Sequence, residues 1–207
     1  MADLGTLYVI AAPSGTGKTT LVKALVDSLP KITVSISHTT RKKRPNEIDS
    51  VHYFFIEETE FKRMIAADEF LEHAIIFEHA YGTSKQTVQE TLAKGMDVIL
   101  EIDWQGYQQI KSLFPDAIGI FILPPSLSDL HDRLIKRNQD NSSIIQKRLM
   151  DAKETVSHIH EFDYVVINDD FENALHDLKI IVEAERLRAK HQTEKFHSLI
   201  LGFDQLG

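Results

Sequence analysis

The chain has 207 residues, 43% of them hydrophobic and 26% charged, with 9 Gly, 6 Pro and no Cys. That composition excludes a collagen-like or low-complexity chain and a disordered acidic one, and the missing cysteine excludes a disulfide scaffold, a cysteine-type zinc site and a catalytic thiol. Against 31 acidic residues stand 23 basic ones, a net charge of −8, which argues against general binding of nucleic acid or of an anionic membrane.

Met1–Gly5 has no basic n-region, and no window approaches 18 uninterrupted apolar residues. Neither a signal peptide nor a transmembrane helix is expected, so the sequence predicts a cytoplasmic protein. Leu7–Ala11 is the first near-continuous apolar run and predicts a buried strand. Lys18–Leu29 predicts a helix, with Leu21, Leu25 and Leu29 four apart and Pro30 as a stop. Ile32–Ile36 alternates and predicts another strand. Residues 37–84 break the rhythm with short strand-like pieces, Tyr53–Ile56 and Phe70–Ile76, around a helical Glu57–Ala67. A helix is predicted over Ser84–Lys94, then strands at Val98–Ile102 and Ile118–Leu123. Two helical pieces, Leu127–Lys136 and Ser142–Ile159, flank a polar loop. Tyr164–Ile167 is the last strand, and Phe171–Phe196 is a long amphipathic helix.

Strands apolar on both faces, alternating with helices, predict an α/β fold with a central parallel sheet covered on both sides. One domain is expected, with core segments 1–36, 85–125 and 152–207 and two excursions, 37–84 and 126–151. The apolar tail from Phe196 to Phe203 is either a subunit contact, which would make a homo-oligomer, or a strap on the core.

The first strand runs into Ala12-Pro13-Ser14-Gly15-Thr16-Gly17-Lys18-Thr19-Thr20. This fits the phosphate-loop (P-loop) pattern G-x-x-x-x-G-K-[ST] except that Ala12 replaces the first glycine, a substitution expected to restrict the turn. Glycines let successive backbone N–H groups curl around a phosphate; Lys18 supplies a point charge and Thr19 a hydroxyl for magnesium. Such a loop implies a nucleoside triphosphate and no particular reaction.

A second anion site is predicted at Ser37-His38-Thr39-Thr40-Arg41-Lys42-Lys43-Arg44. Four cations cluster in an acidic chain, just past a strand end, where open α/β sheets bind ligands. Arg41 and Arg44 offer two guanidiniums, and Thr39 and Thr40 two hydroxyls. One site for a triphosphate and one for a smaller phosphate together suggest a nucleoside monophosphate kinase.

The ordered motifs at residues 11–19, 35–41 (Ser-Ile-Ser-His-Thr-Thr-Arg), 70–74 (Phe-Leu-Glu-His-Ala), 81–84 (Tyr-Gly-Thr-Ser), 102–106 (Ile-Asp-Trp-Gln-Gly), 122–126 and 166–170 (Val-Ile-Asn-Asp-Asp) resemble guanylate kinase from about residue 5 to about 190. The resemblance implies a P-loop three-layer fold carrying an inserted GMP-binding sub-domain over 37–84 and a helical lid over 126–151. The implied reaction is transfer of the γ-phosphate of ATP to GMP, with Mg2+ carried by ATP and no metal held by the protein alone.

It also implies site roles. Ser14, Gly15, Thr16, Gly17, Lys18, Thr19 and Thr20, with Arg133, Arg137, Asn168 and Asp169, would take ATP. Arg41, Arg44, Tyr53 and Tyr81 would hold the GMP phosphate, and Ser37, Glu72 and Thr83 would read guanine. Guanine offers adjacent N1–H and N2–H donors, which suits a carboxylate; adenine offers neither and would leave Glu72 unpaired. Glu101 and Asp103 would lie beside the GMP, with Glu101 replacing the family's usual aspartate. Lys18, Arg44, Arg137 and Arg148 would neutralise the transferring group. A kinase for AMP or UMP, a guanylate-kinase-like binding module without activity, and a P-loop GTPase or ATPase are the competing readings. The intact Lys18 and arginines oppose the module, and the Ser37 and Glu72 pair opposes AMP and UMP.

Overall fold

A strand that is apolar on both faces must be covered on both, and this requirement sets the architecture. The computed structural model describes residues 4–76, 78–136 and 142–204. In chain order the elements are β1 (Leu7–Ala11), α1 (Lys18–Ser28), β2 (Ile32–Val34), β3 (His38–Thr39), β4 (Phe54–Phe55), α2 (Glu58–Ala66), β5 (Phe70–Ile76), β6 (His79–Ser84) and α3 (Lys85–Ala93). They continue with β7 (Asp97–Leu100), α4 (Trp104–Leu113), β8 (Ile118–Leu123), α5 (Leu127–Lys136), α6 (Ser142–Ser157), β9 (Tyr164–Ile167), α7 (Phe171–Arg186), α8 (Ala189–Lys195) and α9 (His197–Asp204).

The main sheet has the order β2-β7-β1-β8-β9, and every pairing in it is parallel. β1 lies at its centre with all five residues buried. Tyr8 and Ile10 point to the layer of α1 and α7, where Leu21, Leu25, Leu178 and Val182 pack. Leu7, Val9 and Ala11 point the other way, to Val88 and Leu92 of α3 and Tyr107 and Ile110 of α4. This alternation of side chains in a strand buried on both faces makes the three layers. A second sheet, β4-β3-β6-β5, is built entirely from residues 38–84. β6 pairs antiparallel with both β3 and β5, and the β5–β6 register shifts between Phe70 and Glu72.

Three departures from the sequence reading have local causes. Helix α4 was not expected, because it buries only Gly106, Tyr107 and Ile110 and otherwise reads as a polar glutamine-rich stretch. It is started by Asp103, whose carboxylate accepts the Gly106 N–H at 2.9 Å. Strand β6 was hidden by its glycine and polar residues. The long C-terminal helix is broken at Leu187–Arg188, where the Gln192 side chain caps the Arg186 carbonyl at 2.9 Å. No helix among the described residues is long and apolar enough to cross a membrane.

Candidate active site

The glycine-rich turn lies at the carboxyl end of β1 and opens α1. Gly15 (φ 95°) and Gly17 (φ 91°) take left-handed conformations, while Ala12 is not among the residues with positive φ. The missing first glycine therefore restricts nothing here, contrary to the expectation. Thr16 is buried, and its hydroxyl donates to the Pro13 carbonyl at 3.0 Å. Its own carbonyl accepts from Asn168 Nδ2 at 2.6 Å and from Arg133 Nη1 at 3.3 Å, and Arg133 Nη2 donates to the Asn168 carbonyl at 3.0 Å. A Cβ at position 17 would fall 2.8 Å from Asn168 Nδ2. Asn168 and Arg133 thus brace the turn from behind.

A cleft of about 640 Å³ runs from this turn to the smaller sheet. Ser14, Gly15, Thr16, Gly17, Lys18, Thr19 and Thr20 form one wall. Burial pulls the Lys18 ammonium below its usual range, and Glu101 and Asp103 oppose that shift. Both carboxylates line the cleft just beyond β7, and Thr19 donates to Glu101 Oε2 at 3.0 Å. On the far side lie Ser37, Arg44, Tyr53, Glu72 and Tyr81, and from α6 come Lys147 and Arg148.

Glu72 is 3% exposed. Its Oε1 accepts from the buried Thr83 hydroxyl at 2.5 Å, and a Cβ at position 106 would lie 2.8 Å from Oε2. Burial pushes this carboxyl up to about 7; the Thr83 hydroxyl pulls against that and the Asp103 charge adds to it. Glu72 is therefore a buried acceptor held by Thr83 and facing a cleft.

Arg41 is held in a fork by Glu47, with Nη2–Oε1 at 2.7 Å and Nη1–Oε2 at 3.0 Å. The same Glu47 accepts the Arg44 backbone N–H at 2.8 Å. Its carboxyl is pulled well down, first by the Arg41 hydrogen bond, and the Arg41 guanidinium lies 5.5 Å from the Tyr53 ring centre. Sequence reasoning missed Glu47; the signal was the first acid after the run of four cations. Thr39 and Thr40 do not supply the anion site as expected. The Thr39 hydroxyl donates to the Ala80 carbonyl at 3.0 Å and Thr40 accepts the Ala80 N–H at 2.9 Å, so both pair β6.

The cleft wall does not include Arg41, Thr83, Arg133, Asn168 or Asp169. Arg41, Thr83, Arg133 and Asn168 stand one layer behind it through the contacts above. Asp169 is exposed and accepts the Asp170 N–H at 2.6 Å. Arg137 lies outside the described residues. Trp104, in the cleft wall, stacks on His158 with ring centres 3.6 Å apart, and His158 Nδ1 lies 2.6 Å from Glu161 Oε1. Among the described residues no group of three His, Asp or Glu is placed to hold a metal ion.

Two anion-ready surfaces thus face each other across one cleft, with a buried acceptor at one end. The family model described as guanylate kinase matches residues 4–185. A guanylate kinase of Coxiella burnetii is 54% identical over 194 residues, covering 94% of each chain. One of Escherichia coli K12 is 50% identical over 198 residues, covering 95% of this chain and 96% of its own. The crystal structure of guanylate kinase from Anaplasma phagocytophilum superposes with a TM-score of 0.74 at 30% identity, over 90% of this chain and 88% of that one.

Proposed function

The chain belongs to the guanylate kinase family, and from that premise we propose how its residues divide the work of moving the γ-phosphoryl group of ATP to GMP. Residues 14–20 take the triphosphate on backbone N–H groups and the N-terminus of α1, with Lys18 as the charge on the terminal phosphates. Arg44, Tyr53 and Tyr81 line the cleft and take the GMP phosphate, with Arg41, held by Glu47 just behind them, adding a second guanidinium. Ser37 and Glu72 read the base, with Thr83 holding Glu72 from behind. The buried Glu72 in the cleft wall is the observation that carries this reading, because guanine N1–H and N2–H are adjacent donors that suit one carboxylate.

No base is needed for the nucleophile. A phosphomonoester has its second pKa near 6, so GMP reaches the site mostly as a dianion. One of its phosphate oxygens attacks the γ-phosphorus in line, and the bond to the β-phosphate bridging oxygen breaks to leave ADP. The protein's task is to hold two anions together and to neutralise the charge between them. Lys18, Arg44 and Arg148 face that gap, and Arg137 is assigned with them. Asn168 and Arg133 act by fixing the turn, and Asp169 belongs to the adenine-side segment.

Magnesium arrives with ATP in this reading. The donors fit it: the Thr19 hydroxyl and the Glu101 carboxylate are hard oxygen ligands 3.0 Å apart at the mouth of the turn. When bound, the ion would supply positive charge against the triphosphate. Residues 37–84 form the GMP-binding region and 126–151 a lid in the same proposal. It places the reaction in purine nucleotide metabolism in the cytoplasm, with the tail as a contact in a homo-oligomer. A panel of GMP, dGMP, AMP and UMP with ATP and magnesium tests the site. GMP should exceed AMP and UMP by at least about 10³-fold in kcat/KM; comparable use of AMP would overturn the role given to Glu72.

A further inference from the structure

Strand β5 is the edge of the smaller sheet. It pairs with β6 on one side, and that ladder slips between Phe70 and Glu72. A bulge bends the strand, increases its local twist and re-aims the side chains beside it. The residue that follows it, Glu72, is the one whose carboxylate must be aimed. The outer edge would present bare N–H and C=O groups.

On that outer edge lies α4. Gly106 and Gln109 are three apart and share a face. Gly106 brings bare backbone against Glu72 Oε2, where even a Cβ would fall at 2.8 Å. One turn on, the Gln109 side chain pairs with the main chain of His73: Oε1 accepts the His73 N–H at 3.1 Å, and Nε2 donates to the His73 carbonyl at 3.0 Å. A primary amide carries an acceptor and a donor in the spacing of a peptide group. Gln109 therefore acts as a one-residue neighbouring strand.

We propose that Gln109 is a positioning residue for guanine recognition: by closing the free edge of β5 at His73, it fixes the adjoining Glu72 against Thr83 and Gly106 and ties the smaller sheet to the helix that begins at Asp103. This rests on the reading of Glu72 as the guanine acceptor. Gln109 does not line the cleft, so its effect on the base runs through Glu72; its Nε2 also meets the Gln105 carbonyl within α4 at 3.4 Å.

The test compares Gln109→Met, which keeps the length and removes both hydrogen bonds to His73, with Glu72→Gln and the wild type. GMP, inosine 5′-monophosphate (which lacks the 2-amino group) and ATP are each titrated. Gln109→Met should raise the KM for GMP about tenfold and leave the KM for ATP and kcat within twofold. It should also shrink the preference for GMP over the inosine nucleotide about tenfold, because a displaced carboxylate no longer meets both donors. Gln109→Glu keeps the acceptor for the His73 N–H and should recover part of the loss. It also stands in if the methionine variant does not fold, and then a KM for GMP raised about threefold supports the proposal. An unchanged KM for GMP and an unchanged preference overturn it, as does a parallel rise in the KM for ATP. If Glu72→Gln impairs GMP use and the Gln109 variants do not, the clamp alone is wrong; if Glu72→Gln is neutral, the guanine reading falls and takes the clamp with it.

Discussion

Replacing Glu72 with glutamine should make the empty protein more stable at alkaline pH while impairing GMP use. The carboxyl is 3% exposed with one side-chain donor, and burial raises it from 4.5 to about 7. The folded state therefore holds its proton across a window in which the unfolded state has lost it. Between about pH 4.5 and 7 the native chain binds more protons than the unfolded one, so this group's contribution falls as pH rises. The full difference amounts to about 3 kcal/mol. A glutamine removes it, and its own unpaired amide hydrogens take back about 1 kcal/mol. A net gain of about 2 kcal/mol corresponds to about 4–8 °C in Tm for a chain of this size. Thermal unfolding followed by circular dichroism at pH 5, 6, 7 and 8 reads it. The variant should match the wild type at pH 5 and exceed it at pH 8, and its KM for GMP at pH 8 should rise about 10–100-fold. Parallel pH curves for the two proteins would refute the claim that Glu72 is buried against its own charge.

The same shift predicts that the wild-type KM for GMP rises as pH falls below about 7, since a protonated Glu72 cannot accept both guanine donors; a flat profile down to pH 6 would contradict this. Lys18→Met should cut kcat by at least about 10³-fold with the fold intact, read by coupled assay and circular dichroism. Glu47→Gln should release the Arg41 fork and raise the KM for GMP about 3–30-fold with ATP unaffected; a lower KM would mean that Glu47 competes with the phosphate. Gly17→Ala sets a Cβ against Asn168 in a left-handed conformation and should weaken ATP binding, measured by calorimetry, at least about tenfold; unaltered affinity would remove Asn168 as the brace. The chain has one tryptophan, Trp104, stacked on His158 at the cleft wall, so its emission should change on adding GMP, and a constant spectrum would detach that wall from the site.

The main sheet was legible because strands such as Ile118–Leu123 are buried along nearly their whole length, and a short, continuous, β-branched apolar run fits a strand covered on both faces better than any amphipathic element. The glycine turn was legible because its chemistry is sequential. The smaller sheet was less so: β6 pairs through main chain and hides behind Gly82 and Thr83. Glu72 stands out in sequence as a carboxylate inside an apolar stretch. Its supports, Gly106 and Gln109, come from a helix with only two large buried side chains, Tyr107 and Ile110, too few to announce a period. Asn168 was assigned to ATP by resemblance, and the sequence did not show that its amide Nδ2 donates to the Thr16 carbonyl. Ala12 was expected to restrict the turn, because one sequence cannot say which of the loop's positions carries positive φ.

The bond from Asn168 to Thr16 joins residues 152 positions apart, and this bears on when the protein becomes competent during its synthesis. β1 emerges first, but its neighbours in the sheet are β7 and β8, and the amide that fixes the turn follows β9. A nascent chain stopped after β8 has every glycine of the turn and the lysine, yet lacks the side chain that holds Thr16 in place. Segments that fold as the chain lengthens can assemble the central strands early. The glycine turn proposed to take ATP is finished among the last parts, so a ribosome-bound fragment ending before residue 168 should ignore ATP even where its core has formed.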